Sequence, residues 1–348
     1  MNMKQIIATV MAFSFLGFLS CAGKNADLDP ASFSESIERS SDIRIIDVRT
    51  VQEYEEGHLA CAVNIDWQSD GFLDKVLGTF DKKDPLHVYC RSGRRSAEAA
   101  DALRKEGYEV INLDGGYTAW IEAGKPVTLY QVMTFGADDG SQINITFIKH
   151  ASLCIRHKGI SIHVDPVTEH GKHTDYATEF PKADAVFVTH EHGDHMDNSA
   201  ITALTDKNTV IYVNGKVHDA IGKGTVITNG QSVNLPDGIR VDAVPAYNTT
   251  PGRENFHPKG NGNGYVFSIN GLRVYVAGDT EDVPEMADLK DIDVAFLPVN
   301  QPYTMTVDQC VKAAKVIKPK VLIPYHYSQT DLSPIPGQLI GIDVRMVK

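Results

Sequence analysis

Ala185-Val186-Phe187-Val188-Thr189-His190-Glu191-His192-Gly193-Asp194-His195 decides how the second half of this chain is read. Its opening residues are apolar and favour extended backbone, which predicts a buried strand. The strand runs into six residues that include His190, His192, Asp194 and His195. In an extended loop alternate side chains share a side, so His190, His192 and Asp194 converge while His195 points elsewhere. That arrangement suits two adjacent metal subsites. It differs from the helical pattern with histidines four apart, and Gly193 argues against a helix. Imidazole and carboxylate donors suit zinc, iron or manganese, and a solvated surface rarely gathers four such groups in six positions. The other ligands must come from far along the chain. Asp279 follows the apolar run Leu272–Val276, and His326 follows Val321–Pro324. Both stand at strand ends, where sites tend to form.

Working outward, short strands dominate this half: Ile143–Phe147, Ser152–His157 and Ile160–Val164. Asn270-Gly271 between two alternating runs signals a tight hairpin, and Val307–Ile317 has a helical period. The first half differs. Apolar runs at Ile43–Asp47, Leu86–Tyr89 and Glu109–Leu113 alternate with a helical segment, Ser96–Lys105, that Gly107 stops. Strand-helix-strand order predicts an α/β domain with a parallel sheet and flanking helices. The 348 residues are comfortable for two domains. Their expected spans are 30–126 and 143–348, joined by a linker over 127–142 in which Gly136–Gly140 is polar and flexible.

Cys90-Arg91-Ser92-Gly93-Arg94-Arg95-Ser96 lies between a strand and a helix. A free thiol titrates near ~8.5, and cations or a helix N-terminus favour its thiolate. Arg91, Arg94 and Arg95 supply cations, and Gly93 lets backbone N–H groups turn inward around a sulfur anion. The thiolate can attack a sulfane sulfur, carry it as a persulfide and yield it to an acceptor. Cys90, Arg91 and Arg95 are the candidate catalytic residues of this half.

Residues 30–125 resemble a single-domain rhodanese. Asp47-Val48-Arg49, Glu53-Tyr54 with Gly57-His58, the Cys90 loop, and Leu113 with Gly115-Gly116 and Trp120 occur in that family's order. The resemblance implies Cys90 as persulfide carrier, Asp47 and Arg49 as a buried charge pair, and a packing role for His58. Residues 143 to the end resemble the metallo-β-lactamase superfamily, and within it the ascorbate-lactonase-like hydrolases. The second likeness rests on His150-Ala151-Ser152, Asp165-Pro166, Val244–Asn248, Phe256–Gly260 and Gly278-Asp279-Thr280. It implies a four-layer αββα sandwich with the site at its rim. It implies one metal on His190 and His192, a second on Asp194, His195 and His326, and Asp279 bridging them. Two zinc ions are the expected cofactor, with manganese or iron as alternatives. One position departs: the family's third histidine is matched by Asn248, whose amide is a weak ligand. His257, nine residues on, either substitutes or binds substrate. Asp194 and His257 are the catalytic candidates. His150 and Asp165 are expected to orient ligands; His257, Lys259 and Tyr327 are the candidate leaving-group acids. His163, His170, His173 and His218 are read as surface or packing residues.

The chain begins with Lys4 and an apolar run, Ile6–Leu19, too short for a bilayer span but suited to a signal peptide. Leu19-Ser20-Cys21 resembles a bacterial lipobox, so residues 1–20 are expected to be removed and 21–29 to form a tether. The protein is then extracytoplasmic, in the bacterial periplasm or at the outer membrane, held to a membrane by lipid alone. A formal charge of −12 weighs against a nucleic-acid partner. Five cysteines without a paired spacing support neither a thiolate zinc site nor a disulfide scaffold. The expected partners are a small-molecule substrate and sulfur donor and acceptor thiols. The leading reading is a metal-dependent hydrolase of lactone, ester, amide or phosphodiester joined to a sulfurtransferase. An iron-dependent persulfide dioxygenase and a non-enzymatic sulfur-binding module are the alternatives.

Overall fold

The computed structural model describes residues 25–40 and 43–347. The expected signal peptide and Cys21 lie outside the described residues.

The N-terminal domain is one parallel sheet with helices on both faces. Its strands β1 (Ala26–Leu28), β2 (Ile45–Asp47), β3 (Ala62–Asn64), β4 (Leu86–Tyr89) and β5 (Val110–Leu113) lie in the order β1-β5-β4-β2-β3. The helices are α1 (Pro30–Glu38), α2 (Val51–Glu55), α3 (Phe72–Thr79), α4 (Arg94–Lys105) and α5 (Gly116–Glu122). Local chemistry sets their starts. Asp29 accepts from the N–H groups of Ala31 and Ser32 ahead of Pro30, and Thr50 and Glu53 close a reciprocal capping box. Ile46, Val88, Leu103 and Val110 fill one side of the sheet, and Phe33, Tyr89, Leu113 and Trp120 the other. The tether expected at 21–29 is shorter than its span, because Ala26–Leu28 pairs with Ile111–Leu113 as an edge strand. Three residues are too few for a periodicity to announce them.

The C-terminal domain has two seven-stranded sheets face to face. The first comprises β6 (Gln131–Gly136), β7 (Gln142–Lys149), β8 (Ser152–His157), β9 (Ile160–Val164), β12 (Ala185–Phe187), β13 (Val210–Val213) and β14 (Thr225–Val226). A small hairpin of β10 (Glu169–His170) and β11 (Lys172–His173) stands apart from it. The second comprises β15 (Ser232–Asn234), β16 (Arg240–Ala246), β17 (Gly262–Ile269), β18 (Leu272–Val276), β19 (Val294–Pro298), β20 (Val321–Tyr325) and β21 (Asp343–Val344). Inward-facing residues such as Ile145, Leu153, Phe187, Phe267 and Phe296 make one apolar layer between the sheets. Helices α6 (Tyr176–Glu179), α7 (Asn198–Leu204) and α8 (Gly215–Ile221) cover the first sheet. Helices α9 (Val307–Ile317) and α10 (Ile335–Gln338) cover the second, completing the αββα sandwich.

The span 127–142 is not the loose linker expected. Gln131–Gly136 is the edge strand β6, paired antiparallel with β7, and the Gly136–Gly140 stretch is the turn between them. Asp139 closes that turn by accepting from the Ser141 N–H and hydroxyl. The few remaining connecting residues are also held, because Thr128 and His58 exchange both backbone hydrogen bonds. His58 stacks on Tyr54 with ring centroids 3.7 Å apart, a packing role. Arg156 of β8 fastens the domains further, donating to the carbonyls of Cys61 (2.8 Å) and Ile43 (2.9 Å). Ile43 and Cys61 lie at the end of the N-terminal sheet where the parallel strands β2 and β3 begin. Cys90 follows β4, at the opposite end of the strands.

The Asn270-Gly271 hairpin forms between β17 and β18, with positive φ at both residues (43° and 88°). A Cβ on Gly271 would lie 2.1 Å from the Asp138 carboxylate. Gly271→Ala is therefore expected to lower stability by about 1–3 kcal/mol, read from urea or thermal unfolding. An unchanged midpoint would contradict this account of the turn.

Candidate metal centre

Six segments end at one rim of the sandwich. His150 stands in the turn after β7, Asp165 after β9, and His190–His195 after β12. His257 lies in the long loop after β16, Asp279 after β18, and His326 after β20. Three of them, His150, Asp165 and His326, hold positive φ (43°, 47° and 48°). Positive φ is uncommon outside glycine, though Asp and His adopt it more readily than most residues, and it gathers at functional sites. A hydrogen bond from the His326 N–H to the His150 carbonyl (3.1 Å) ties the two sheets together there.

The side chains form two groups of potential ligands, each with donor atoms within 4.8 Å of one another. One holds His190, His192, His257 and Asp279; the other holds His150, Asp194, His195 and His326. Asp279 lies between them. Its Oδ2 is 3.2 Å from His257 Nε2 and 3.9 Å from His190 Nε2, whereas its Oδ1 is 3.1 Å from His195 Nε2 and 3.4 Å from His326 Nε2. Asp194 Oδ2 lies 3.1 Å from His150 Nε2 and 3.4 Å from His326 Nε2. Among the described residues, Nε2 of His195, His257 and His326 and Oδ1 of Asp279 are buried without a hydrogen-bond partner. Each such atom costs roughly 1–3 kcal/mol unless something satisfies it. Convergent imidazoles and a carboxylate between them are a donor set suited to divalent cations.

Neighbours fix which nitrogen is offered. The His195 Nδ1–H donates to Asp165 (2.7 Å), and Asp165 also accepts from the Thr189 N–H and hydroxyl, each 2.7 Å. The His257 Nδ1–H donates to the Tyr303 carbonyl (3.1 Å). Both rings therefore turn Nε2 to the centre. Burial drives His190 well below its usual range, and the charge of nearby His195 adds to this. Burial also opposes protonation of His195, but the carboxylates of Asp279 and Asp165 outweigh it and hold that group high. Asp279 is kept ionised against its own burial by His326 and His195.

Each residue expected as a ligand is in this constellation, and the division implied by the family likeness is the one found: His190 and His192 stand apart from Asp194, His195 and His326, with Asp279 between. The extended-loop expectation fails. Asp194 does not converge with His190 and His192. The loop is not extended: the N–H groups of His195 and Met196 fold back onto the His192 carbonyl (both 2.9 Å), which swings Asp194 and His195 to the second group. His257, left open as substitute ligand or substrate binder, is placed with His190 and His192. The Asn248 amide group donates to the carbonyls of Arg253 (3.2 Å) and Tyr303 (2.8 Å), shaping the loop that returns His257, and its Oδ1 is buried without a hydrogen-bond partner among the described residues. His150, expected behind the ligands, stands among them, while Asp165 does stand behind. Two proposed acids are engaged elsewhere: Lys259 with Glu285 and Tyr247, and Tyr327 with the Val347 carbonyl. His170, given no role, rests its ring 3.8 Å from that of His150. Nothing in a two-residue strand near Gly171 marks that proximity in advance. His163 packs between Tyr176 and Phe180, away from the rim.

In the other domain Cys90 is buried at the end of β4, and Gly93 (φ 88°) starts α4. The loop is pinned from beneath: the Cys90 carbonyl accepts from Tyr117 N–H (2.8 Å) and that of Arg91 from Thr118 N–H (3.0 Å). A Cβ on Gly116 would sit 2.4 Å from the Cys90 carbonyl oxygen, so only glycine permits this approach. The side chains of Arg91 and Arg94 are exposed and, among the described residues, make no hydrogen bond or ion pair. Arg95 differs from the free cation expected, because it makes a two-pronged pair with Glu53 (2.7 and 2.8 Å) that anchors the loop to α2. That pair brings the Glu53 carboxyl down to about 2. Asp47 and Arg49 form the expected buried pair (2.7 Å).

A family model described as a beta-lactamase superfamily domain matches residues 144–326, and a rhodanese-like domain model matches residues 29–123. A UPF0173 metal-dependent hydrolase of Nanoarchaeum equitans is 32% identical over 193 residues, covering 53% of this chain and 84% of its own. One from Archaeoglobus fulgidus is 30% identical over 195 residues, with the same shares. A crystal structure of a metal-dependent hydrolase from Parabacteroides distasonis aligns with a TM-score of 0.60 and 51% identity, over 63% of this chain and 98% of that one.

His257→Ala is expected to remove about one bound metal equivalent per chain, measured by elemental analysis after loading with zinc, while Asn248→Asp leaves the stoichiometry unchanged. Equal metal content in His257→Ala and the unaltered protein would exclude His257 as a ligand.

Proposed function

We propose, since the chain belongs to the beta-lactamase superfamily and to its UPF0173 metal-dependent hydrolases, that its C-terminal domain is a two-metal hydrolase and its rhodanese-like domain transfers sulfur through Cys90. The observation that carries the first part is Asp279, which offers one carboxylate oxygen to each group of ligands. His190, His192 and His257 would hold one ion and His150, Asp194, His195 and His326 the other, zinc being the ion we favour. Such ions supply an activated water and polarise a carbonyl or phosphoryl oxygen. The chain's own residues do the positioning. Asp165 keeps the proton of His195 on Nδ1, and the Tyr303 carbonyl does the same for His257. Asp194 is about one-third exposed whereas Asp279 is buried, so Asp194 is the carboxylate that an arriving substrate meets.

At Cys90 the thiolate attacks the outer sulfur of a sulfane donor such as thiosulfate. The sulfur–sulfur bond breaks, sulfite leaves with its electron pair, and the sulfur stays as a persulfide until an acceptor thiolate or cyanide takes it. Arg91 and Arg94 are the cations available to attract an anionic donor. Two ligand groups rather than one favour the hydrolase over a single-iron persulfide dioxygenase. We place the mature protein outside the cytoplasm on the strength of the Ile6–Leu19 run and Cys21.

Zinc-loaded protein is expected to hold two ions and to hydrolyse at least one of a panel of lactones, carboxylic esters, amides and phosphodiesters, with activity lost on chelation and in Asp279→Asn. One iron per chain with oxygen uptake on glutathione persulfide would replace this reading. Cys90→Ser is expected to abolish thiosulfate-to-cyanide transfer by a factor of at least ~10³ without affecting hydrolysis; equal transfer rates in the two proteins would remove the sulfurtransferase.

A further inference from the structure

Beside the metal groups the two domains enclose a cleft of about 570 Å³, within the range that holds small organic ligands. Its walls are mostly apolar: Leu129, Val132, Phe147, Ile148 and Met346, with Tyr54 of the N-terminal domain closing one side. Leu129 is 65% exposed there, an apolar side chain of the domain connection with little protein against it. Clefts of similar size elsewhere along the domain seam are lined by several charged residues, among them Arg44, Asp81, Lys158 and Asp184.

The cleft is built into the metal rim at three points. Ile148 lies two residues before His150 on the end of β7. Between them, the Lys149 ammonium donates to the carbonyls of Thr168 (2.6 Å) and Lys172 (2.5 Å), holding the β10–β11 hairpin. That hairpin puts Lys172 on the cleft and His170 against His150. On the third side, Tyr327 directly follows His326 and donates to Val347 (2.8 Å), while the carbonyl of Met346, a cleft residue, accepts from Gln131 (3.2 Å). Ile148 is thus two residues from His150, Lys172 two residues from the His170 that rests on His150, and Met346 beside the Val347 that Tyr327 holds. This apolar surface therefore shares the end of β7 and the β10–β11 hairpin with the ligand-group residue His150.

We propose that the interdomain cleft binds the apolar chain of the hydrolase's substrate, so that the substrate is an acyl compound with a medium-length hydrocarbon tail and the rhodanese-like domain forms part of the hydrolytic site. The assignment rests on the hydrolase reading for its occupant. The N-terminal domain then has a second role, independent of Cys90: Tyr54 and Glu55 complete a wall that the C-terminal domain alone leaves open.

The test uses the full chain loaded with zinc and two readouts. Hydrolysis of 4-nitrophenyl acetate and 4-nitrophenyl decanoate gives a ratio of kcat/KM values; each methylene buried is worth about threefold to fourfold while the chain still fits. That ratio is expected to exceed 100 in the unaltered protein and to fall at least tenfold in Leu129→Asp, a surface change that leaves the fold intact. Separately, calorimetry with decanoate reads the cleft without turnover, and binding is expected in the unaltered protein and at least tenfold weaker in Leu129→Asp. Ratios and decanoate affinities equal in the two proteins, or no decanoate binding by the unaltered protein, would overturn the cleft. Decanoate binding that depends on Leu129 with neither ester hydrolysed would keep the cleft and count against ester hydrolysis as the reaction.

Discussion

A buried carboxylate between two clusters of imidazoles is the constraint around which the C-terminal domain is organised. Asp279 is 4% exposed, and an ionised carboxylate so placed is tolerated only when opposite charge surrounds it. The chain meets that need by bringing ligands from both sheets to one rim. The first sheet supplies His150 and His190–His195, and the second supplies His257, Asp279 and His326. The two sheets must therefore keep a fixed relation. The apolar layer from Ile145 to Phe296 and the His326–His150 backbone bond provide it. The positive φ values at His150, Asp165 and His326 belong to the same economy: strain is stored where ligands must point inward.

The N-terminal domain solves a related problem with different means. Cys90, its proposed sulfur carrier, also stands where a strand ends, beside the start of α4 and the exposed Arg91 and Arg94. The charge of Arg95 is taken by Glu53, which also caps α2, so one residue pair fixes both the loop and the helix beside it. Arg91 and Arg94 remain directed at solvent. The domains are not beads on a string. Thr128 and His58 lock the connection as a short ladder, and Arg156 crosses the seam to two carbonyls of the other domain. Such fastening holds together the walls of the cleft between them.

The sequence alone carried the two-domain division, the parallel sheet ahead of Cys90, the Asn270-Gly271 hairpin, and the convergence of His190–His195 with Asp279 and His326. These features are local or motif-dense: a turn that demands positive φ, a strand running into clustered ligands, a cysteine ringed by arginines. Chemistry at that density survives without knowledge of the fold. What only the tertiary structure decided is that His150 and His257 stand with the other histidines, because that depends on contacts between residues far apart. Asp194 parted from His190 and His192 through a backward turn closed by backbone hydrogen bonds that no side-chain pattern encodes. His150 and His257 joined the ligands because strands from separate sheets ended side by side. Residues 131–136 became a sheet edge because β7 was there to pair with them, and a strand's partner is a property of the assembled sheet rather than of its own residues.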